Sequence, residues 1–307
     1  MKDAVKILGF ASIIMVSSLF IFSTEKATKI EEPQPTSSNT SETYQIKALK
    51  IPAGLNFAGE KVPMDKEGVR ERIDRELLVN TYWQSNGLLM FKRANKYFPI
   101  IEPILKENGV PDDFKYLAMI ESGLQNVTSP AGARGFWQLM KNTARENGLE
   151  VNSNVDERYH LEKATKVACE YLKGAKEKFG SWTMAAAAYN AGRSGIQRKI
   201  NAQQVNDYYD LLLGEETSRY VPRIIAVKEI LSNPKKYGFL FDSEDLYTAS
   251  DVKIVKVDTV ITNIASFSKQ FDINYKILKA YNPWLRENKL NNASRKLYEI
   301  KIPVNAK

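Results

Sequence analysis

The sequence predicts a mainly α-helical protein that ends in a small β-α-α-β module. Between positions 111 and 235, apolar residues recur at helical spacing, strand signals are weak, and glycine-containing turns separate the helical stretches. Beyond Asn233-Pro234, two apolar runs typical of strands, 252–257 and 297–303, enclose two helical segments. With 307 residues and 43% hydrophobic content, the chain can bury a core in each of two modest domains.

Residues 1–23 have the pattern of an export signal. Lys2 and Lys6 precede the mostly apolar run Ile7–Phe22. No A-x-A cleavage motif follows, so a cleaved signal and an uncleaved membrane anchor both stay open, with cleavage the favoured outcome. Either way, we expect the rest of the chain to lie outside the cytoplasm, in the periplasm or cell envelope.

A polar segment rich in Glu, Thr, Ser and Pro, residues 24–45, separates this signal from the folded part of the chain. Such a composition buries too little apolar surface to fold, so we predict a disordered tether. Residues 46–97 follow, with amphipathic patterns but no evident group of catalytic or ligand-binding residues. We interpret them as an N-terminal helical brace that packs against the next domain.

Three helices are predicted before position 110. Asp65 is expected to cap the first, which carries Arg/Glu pairs at helical spacing. The second spans 88–97. The third is expected to open at Pro99 and Pro103, because proline is tolerated in a first helical turn, and to end at Gly109.

The next helix carries the most informative residue of the chain. Pro111-Asp112-Asp113 is a helix-start signal, with an Asp available as a cap, and Gly123 is a stop signal. Within 114–121, the positions i, i+3, i+4 and i+7 share one face. The first three are apolar or small, and the fourth is Glu121. The pattern therefore predicts a buried helix with one acid near its end.

A buried, unpaired carboxylate such as Glu121 is costly when ionised, and a raised pKa that keeps it protonated is the usual outcome. A carboxylic acid that is protonated near neutral pH is a general acid. Taken alone, however, Glu121 is better interpreted as a helix-end residue that reaches water or pairs with an arginine. Only the residues downstream favour catalysis.

Further helices are predicted at 161–179 and 181–189. The second contains the small residues 185–188, which would let another helix approach closely. A last helix is expected at 223–231, with Pro222 in its first turn.

The sequence excludes several kinds of site. The chain has one cysteine, Cys169, and one histidine, His160, so it forms no intramolecular disulfide and no ordinary zinc site. Cys169 lies in an apolar helical context typical of a buried structural thiol. We expect neither a metal nor a cofactor.

The net charge is +8, and the basic residues are spread along the chain. Diffuse positive charge suits an anionic polymer or a membrane surface, and equally a merely solvated basic surface. Zinc-finger spacing, an RNA-binding signature and a basic recognition helix are all missing from the sequence. Nucleic-acid binding is therefore not expected.

Four short segments stand out together around the predicted helical domain. They are Glu121-Ser122-Gly123, Gly135-Phe136-Trp137-Gln138-Leu139-Met140, Ala188-Tyr189-Asn190-Ala191-Gly192 and Thr217-Ser218-Arg219-Tyr220-Val221-Pro222. In this order they resemble the soluble lytic transglycosylase (SLT) domain, in the form of the membrane-bound murein transglycosylase D type. The flanking segments 129–133 and 156–158 match the same type.

The resemblance implies a lysozyme-like helical domain, to which we assign residues 98–240. It implies cleavage of the β-1,4 bond between N-acetylmuramic acid and N-acetylglucosamine in peptidoglycan, by attack of the C6 hydroxyl, which leaves a 1,6-anhydromuramoyl end. Glu121 would be the catalytic acid and then the base. The residues that would line the sugar groove or hold the acid are Ser122, Gln138, Tyr189, Asn190 and Tyr220.

The residue chemistry agrees with this expectation. Ordinary glycosidases need two carboxylates, ~5 Å apart for retention or ~6.5–9.5 Å apart for inversion, whereas one acid suffices if the substrate's acetamido group is the nucleophile. Only Glu121 is a conspicuous buried candidate. Trp137 is interpreted equally as a core residue or a subsite wall, Ser122 as a sugar contact or as a residue that only holds Glu121, and Asp156 as a cap of the 161–179 helix or a partner of Arg158.

The C-terminal residues 250–303 resemble a LysM module, a type that binds N-acetylglucosamine-containing glycans. Asp258-Thr259, Tyr281-Asn282-Pro283 and Ile302-Pro303 match its landmarks, but Val257 stands where glycine usually precedes Asp-Thr. The LysM-like fold is therefore better supported than glycan binding.

Two other functions stay open at this point. One is a goose-type-like muramidase, in which water attacks instead of the C6 hydroxyl. The other is a catalytically silent peptidoglycan-binding scaffold, which would not need Glu121, Gln138 and Tyr189-Asn190 together. The expected partner is the peptidoglycan glycan strand, with no nucleic acid, membrane contact only through an uncleaved N-terminal segment, and a monomeric chain.

Overall fold

The computed structural model describes residues 46–304, so the predicted signal and tether lie outside the described residues. This part of the chain contains ten α-helices and two small two-stranded sheets. The prediction of a mainly α protein is confirmed. Among the described helices, none combines the length and apolarity that a membrane crossing requires.

The chain begins with a hairpin, β1 (Asn56–Phe57) and β2 (Glu60–Lys61), followed by α1 (Val69–Tyr82). The predicted cap is wrong, because α1 starts after Gly68, whose φ is 70° and which provides no side-chain cap. Buried residues of α1 face a long helix, α8 (Glu215–Ser232).

The second and third predicted helices are one continuous helix, α2 (Gln84–Glu107), and both prolines lie inside it. A proline inside a helix deprives the carbonyl four residues earlier of its partner, which here affects residues 95 and 99. Asn95, Pro99 and Pro103 all lie on the exposed side of α2, where water can satisfy these carbonyls. The helix therefore continues where the sequence predicted a break.

Six helices form the next part of the chain. They are α3 (Phe114–Ser122), α4 (Lys141–Glu146), α5 (Leu161–Phe179), α6 (Trp182–Ala191), α7 (Arg193–Gln203) and α8 (Glu215–Ser232). Helix α6 lies at the centre and contacts α5, α7 and α8. The small residues 185–188 of α6 are fully buried, which permits this close packing, as predicted.

Helix α8 is twice as long as predicted, and Pro222 lies in its interior. The carbonyl that Pro222 leaves without a backbone donor is that of Ser218. The Tyr208 hydroxyl donates to this carbonyl at 2.8 Å and so replaces the missing N–H. A long-range side chain thus permits a proline where the local sequence predicted a helix start.

The C-terminal part has the predicted β-α-α-β order: β3 (Val252–Val257), α9 (Ile264–Lys269), α10 (Tyr275–Tyr281) and β4 (Tyr298–Pro303). The strands pair antiparallel, with Val252 opposite Pro303 and Val257 opposite Tyr298. Asparagine side chains at 263 and 274 cap the two helices by accepting from backbone N–H groups.

This C-terminal module shares its core with the helical part. Val155 and Tyr159, from the segment before α5, belong to its apolar cluster, and Val155 forms a β-bridge with Leu285. The Asn154 side chain accepts from Asn291 N (2.9 Å) and donates to Lys289 O (2.8 Å). The module is therefore docked by backbone pairing as well as by apolar contact.

Candidate active site

Helix α3 holds Glu121 near its C-terminal end. It stops at Gly123, whose φ is 60° and whose N–H donates to Met119 O at 2.8 Å, as predicted. The predicted cap is wrong, because the Asp113 carboxylate accepts instead from Ala58 N and Lys228 Nζ, both at 2.6 Å. Asp113 thus joins the start of α3 to the N-terminal hairpin and to α8.

The Glu121 carboxylate is partly buried and accepts a short hydrogen bond from the Tyr220 hydroxyl. Burial raises the pKa of Glu121 to about 7. The Tyr220 hydrogen bond and the charge of Arg223 oppose this rise, whereas the charge of Glu216 adds to it. Arg223 pairs with Glu76 at 3.4 Å, so it does not serve as the arginine partner that the alternative interpretation of Glu121 required.

Tyr220 is almost fully buried, with 2% of its surface exposed, and it lies within α8. Its pKa is raised far above the ordinary value, by burial first and then by the Glu121 charge. It therefore stays protonated and can only donate its hydroxyl proton to Glu121. This position suits a residue that holds the acid rather than a surface on which a sugar stacks.

The Ser122 hydroxyl makes no hydrogen bond to the Glu121 carboxylate among the described residues. Its hydroxyl donates to Phe136 O at 2.8 Å and accepts from Gln125 N at 3.3 Å. It thereby connects the end of α3 to the loop that carries Gln138, and it is buried in doing so.

The loop at 128–139 is shaped by two β-bridges and by one close backbone contact. Gly135 has a φ of 79°, and a Cβ there would lie 2.0 Å from the Arg158 carbonyl oxygen. Only glycine fits this position. The approach of Gly135 fixes the loop against the segment before α5.

Arg158 and Asp156, in the segment before α5, hold the same loop in place. The Arg158 guanidinium makes a two-point contact with the Asp156 carboxylate (2.9 and 2.8 Å) and donates to Gly132 O and Leu139 O. Of the two interpretations of Asp156, the partner of Arg158 is therefore correct, and the cap of α5 is wrong. Its carboxylate caps only the short 3-10 turn Glu157–Tyr159.

Gln138 lies in this loop with a φ of 45°, which is uncommon for a residue other than glycine. Its Nε2 donates to Gly135 O (2.7 Å) and Val127 O (3.2 Å). These bonds orient the amide and leave Oε1 without a donor from the described residues. Such backbone strain is often found at functional sites.

Trp137 is a core residue, with no exposed surface and with its Nε1 donating to Thr165 Oγ1 at 2.8 Å. The interpretation as a subsite wall is therefore wrong. Its carbonyl accepts from the Tyr189 hydroxyl at 2.7 Å, which places Tyr189 next to the Gln138 loop. Glu121 contributes, after burial, to raising the pKa of Tyr189.

Asn190 is the penultimate residue of α6, and Gly192 follows the helix end. The Asn190 side chain is held by the start of α8: Oδ1 accepts from Thr217 Oγ1 (2.8 Å), and Nδ2 donates to Glu216 Oε1 (3.4 Å). Glu216 was not predicted as a residue of this site. Its position four residues before Tyr220, on the same helical face, was the available signal.

The four segments therefore meet around Glu121. Tyr220 contacts the acid directly, Tyr189 and Gln138 lie on the loop side, and Asn190 is bound to Glu216. Within residues 46–304, no three acidic, His or Cys side chains are grouped as a metal site would need. Cys169 is buried in α5, and burial raises its pKa to about 12.

Comparison with known proteins agrees with this arrangement. Residues 98–212 match the family model of the transglycosylase SLT domain, and residues 253–306 match that of the soluble lytic transglycosylase C-terminal LysM-like domain. Two curated proteins named membrane-bound lytic murein transglycosylase D, from Escherichia coli K12 and Escherichia coli O6:H1, are 28% identical over 236 residues. This match covers 72% of the chain but only 51% of each relative, so the chain spans about half the length of those proteins. The chain thus carries an SLT domain followed by the LysM-like domain of soluble lytic transglycosylases.

Proposed function

We propose that this protein is a peptidoglycan lytic transglycosylase that acts in cell-wall remodelling. It cleaves the β-1,4 bond between N-acetylmuramic acid and N-acetylglucosamine without water and leaves a 1,6-anhydromuramoyl end. The matches to the SLT and LysM-like families support the class of reaction. The names of the two relatives, which specify murein, support the substrate.

The observation that carries the proposal is the state of Glu121. With its pKa raised to about 7, a large fraction of this side chain is protonated at neutral pH and can act as a general acid. In the first step, Glu121 donates its proton to the glycosidic oxygen as the bond to C1 breaks, and the oxygen of the substrate's own acetamido group bonds to C1. In the second, the C6 hydroxyl oxygen bonds to C1 as the acetamido oxygen leaves, and the hydroxyl proton goes to the Glu121 carboxylate.

The surrounding side chains have proposed roles in binding. The free Oε1 of Gln138 suits the N–H of an acetamido group, because an amide oxygen accepts hydrogen bonds. Asn190 and the Tyr189 ring suit sugar hydroxyls and an apolar sugar face, respectively. Ser122 and Tyr220 act indirectly, since their hydroxyls bond to the Phe136 carbonyl and to the Glu121 carboxylate.

The proposal also covers the division of the chain into segments and its location. Residues 1–23 serve as an export signal or anchor and 24–45 as a tether; 46–97 is the brace, 98–240 the catalytic domain and 250–303 the LysM-like module. The chain acts as a monomer in the periplasm or cell envelope. The export-signal pattern at the N-terminus and the name of the membrane-bound relatives support this location.

A goose-type-like hydrolase is the competing function, and the position of Glu216 supports it. This exposed carboxylate is close enough to affect the pKa of Glu121, and it accepts from Asn190. A second carboxylate is what a water-activating mechanism would need. The two functions differ in their products, because only hydrolysis adds a molecule of water.

The test is mass spectrometry of muropeptides released from purified murein. We expect muramoyl ends that are lighter than reducing ends by one water. Only reducing ends would establish a hydrolase instead. Glu121→Gln should abolish release, whereas Glu215→Gln, at an exposed neighbouring position on α8, should not. Equal clearing of a murein suspension by wild type and Glu121→Gln would refute the catalytic role of Glu121, whereas no clearing by either would favour a silent scaffold.

A further inference from the structure

A second cleft lies between the SLT domain and the LysM-like module, separate from Glu121. Its volume is about 510 Å³, within the range of ~300–1,000 Å³ that is typical of small-ligand sites. Helix α2 and Phe136 form one wall, and the start of β3 and the end of α10 form the other. The cleft therefore exists only because the two domains are docked.

The walls offer apolar and aromatic surface. Val252 and Ile254 point from the same face of β3 and remain 36% and 43% exposed. Tyr97 and Tyr281 are partly exposed on the opposing sides. Such flat apolar faces with polar edges suit the apolar face of a pyranose ring.

The polar groups of the cleft carry balanced charge. Lys96 and Lys301 provide two cations, and Asp251 and Glu162 provide two carboxylates. Lys301 is already paired with Glu162. The cleft thus favours a neutral, polar ligand over an anion, and the exposed Asn126 amide adds one group that both donates and accepts.

A histidine–glutamate pair lies in the wall of the cleft. His160 Nδ1 and Glu162 Oε2 are both buried and lie 3.2 Å apart, but neither has an aligned hydrogen-bond partner in the described part of the chain. Because both atoms are buried from solvent, a ligand in the cleft reaches neither of them, and the pair forms part of the wall. Both residues line the cleft.

The cleft is built on fixed contacts. Trp284 stacks between His160 and Tyr298, with ring centroids 6.1 and 5.5 Å apart, and its carbonyl accepts from Asp156 N at 2.9 Å. A site with rigid walls loses little conformational entropy when a ligand binds.

We propose that this interdomain cleft binds N-acetylated amino-sugar units of a glycan strand at a site distinct from the catalytic groove. The identity of the ligand rests on the proposed function, while the site rests on the walls and charges described above. Phe136 lines the cleft, and its carbonyl accepts from Ser122, which follows Glu121. One loop therefore borders the bound strand on one side and the catalytic acid on the other.

The experiment uses the full chain labelled with 5-fluorotryptophan and the β-1,4 tetramer of N-acetylglucosamine as probe. This probe contains no muramic acid and so lacks the bond that the proposed reaction cleaves. In fluorine NMR we expect titration to shift the Trp284 resonance, which single Trp→Phe substitutions assign. Ile254→Arg should fill the cleft and weaken binding at least about tenfold. Val260→Arg, at another exposed apolar position in the same module, should leave binding unchanged.

Three outcomes would overturn the proposal: no shift of Trp284, a shift confined to Trp137 beside the catalytic loop, or equal affinity of Ile254→Arg and wild type. Glu121→Gln separates the two proposals, because it should abolish cleavage of murein without changing the Trp284 shift. If anhydro ends are missing but the cleft binds the probe, the catalytic assignment fails and the cleft stands. If anhydro ends form but the cleft does not bind the probe, only the proposed cleft site is refuted.

Discussion

Glu76 of α1 and Arg219 of α8 join the N-terminal helices to the catalytic acid. Glu76 Oε1 accepts from Arg219 Nε at 2.6 Å, and the carboxylate is only 1% exposed. Arg75 and Arg223 complete its partners at 2.8 and 3.4 Å. Because Arg219 directly precedes Tyr220, this ion pair fixes the part of α8 that holds Glu121.

Removing the Glu76 charge should destabilise the protein. Glu76→Gln removes the one negative charge that three arginines share, and breaking a buried pair costs up to ~3–5 kcal/mol. Since the arginines are partly exposed, we expect a loss of about 2 kcal/mol in the free energy of unfolding. Urea denaturation measures it, and Glu71→Gln, on the exposed face of the same helix, is the control. Equal midpoints for both variants would contradict the role of Glu76.

Tyr220→Phe should move the alkaline limb of activity to higher pH. The Tyr220 hydrogen bond stabilises the ionised form of Glu121 and so lowers its pKa. Without it, the acid stays protonated to a pH above about 7. The pH dependence of kcat/KM measures the shift. Tyr237→Phe, which removes a tyrosine–glutamate bond at the other end of α8, should leave the limb in place.

Glu216→Gln should have the opposite effect on that limb. The negative charge of Glu216 raises the pKa of Glu121, so its removal should move the limb to lower pH. If the C6 hydroxyl attacks, kcat at the optimum should change little. A loss of more than about 100-fold would instead indicate that Glu216 acts as a second catalytic carboxylate. Glu215→Gln is the matched control on the same turn.

Glu121 should lower the stability of the protein at alkaline pH. Its pKa is about 7 when folded and 4.5 as the ordinary value, so the folded state binds more protons between these values. The free energy of unfolding should therefore fall as pH rises from 4.5 through 7. Glu121→Gln should be more stable than wild type at pH 8, by roughly 3 kcal/mol, and equal to it below pH 4.5. Urea denaturation at both pH values tests this, and a constant difference would refute it.

Asn154→Ala should loosen the LysM-like module without unfolding the SLT domain. The substitution removes the side-chain bonds to Asn291 N and Lys289 O, each worth about 1 kcal/mol. Hydrogen exchange should become faster in segment 284–292 and stay unchanged in α6. Asn147→Ala is the control, because the Asn147 side chain donates to Thr143 O in the adjacent helix α4, away from the LysM-like module. Unchanged exchange in both variants would show that apolar contact alone docks the module.

The helix predictions succeeded where local signals decide the structure. Helix α5 has the predicted bounds because it starts after a polar turn and ends at Gly180, whose φ is 84°. They failed at Pro99, Pro103 and Pro222, because solvent exposure and the distant Tyr208 hydroxyl satisfy the carbonyls that these prolines leave free. Local sequence contains neither piece of information.

For the site, too, the sequence predicted some features and not others. The resemblance identified Glu121, Gln138 and Asn190 as residues that the fold brings near one another. It gave no indication that the Ser122 hydroxyl faces away from the acid toward Phe136, or that Glu216 affects the pKa of Glu121. These relationships depend on how α8 and the loop at 128–139 pack on α3, and no spacing along the chain encodes them.

Helix α2 has a practical consequence for work on this protein. The match to the SLT family model begins at residue 98, in the middle of this 24-residue helix. A gene truncated at that position would lose more than half of α2, including the buried Met90 and Phe91, and the whole of α1 with Glu76. We therefore expect soluble expression and crystallisation to require a start before β1, at or upstream of residue 46. Boundaries taken from sequence families alone would yield an incomplete hydrophobic core and aggregated material.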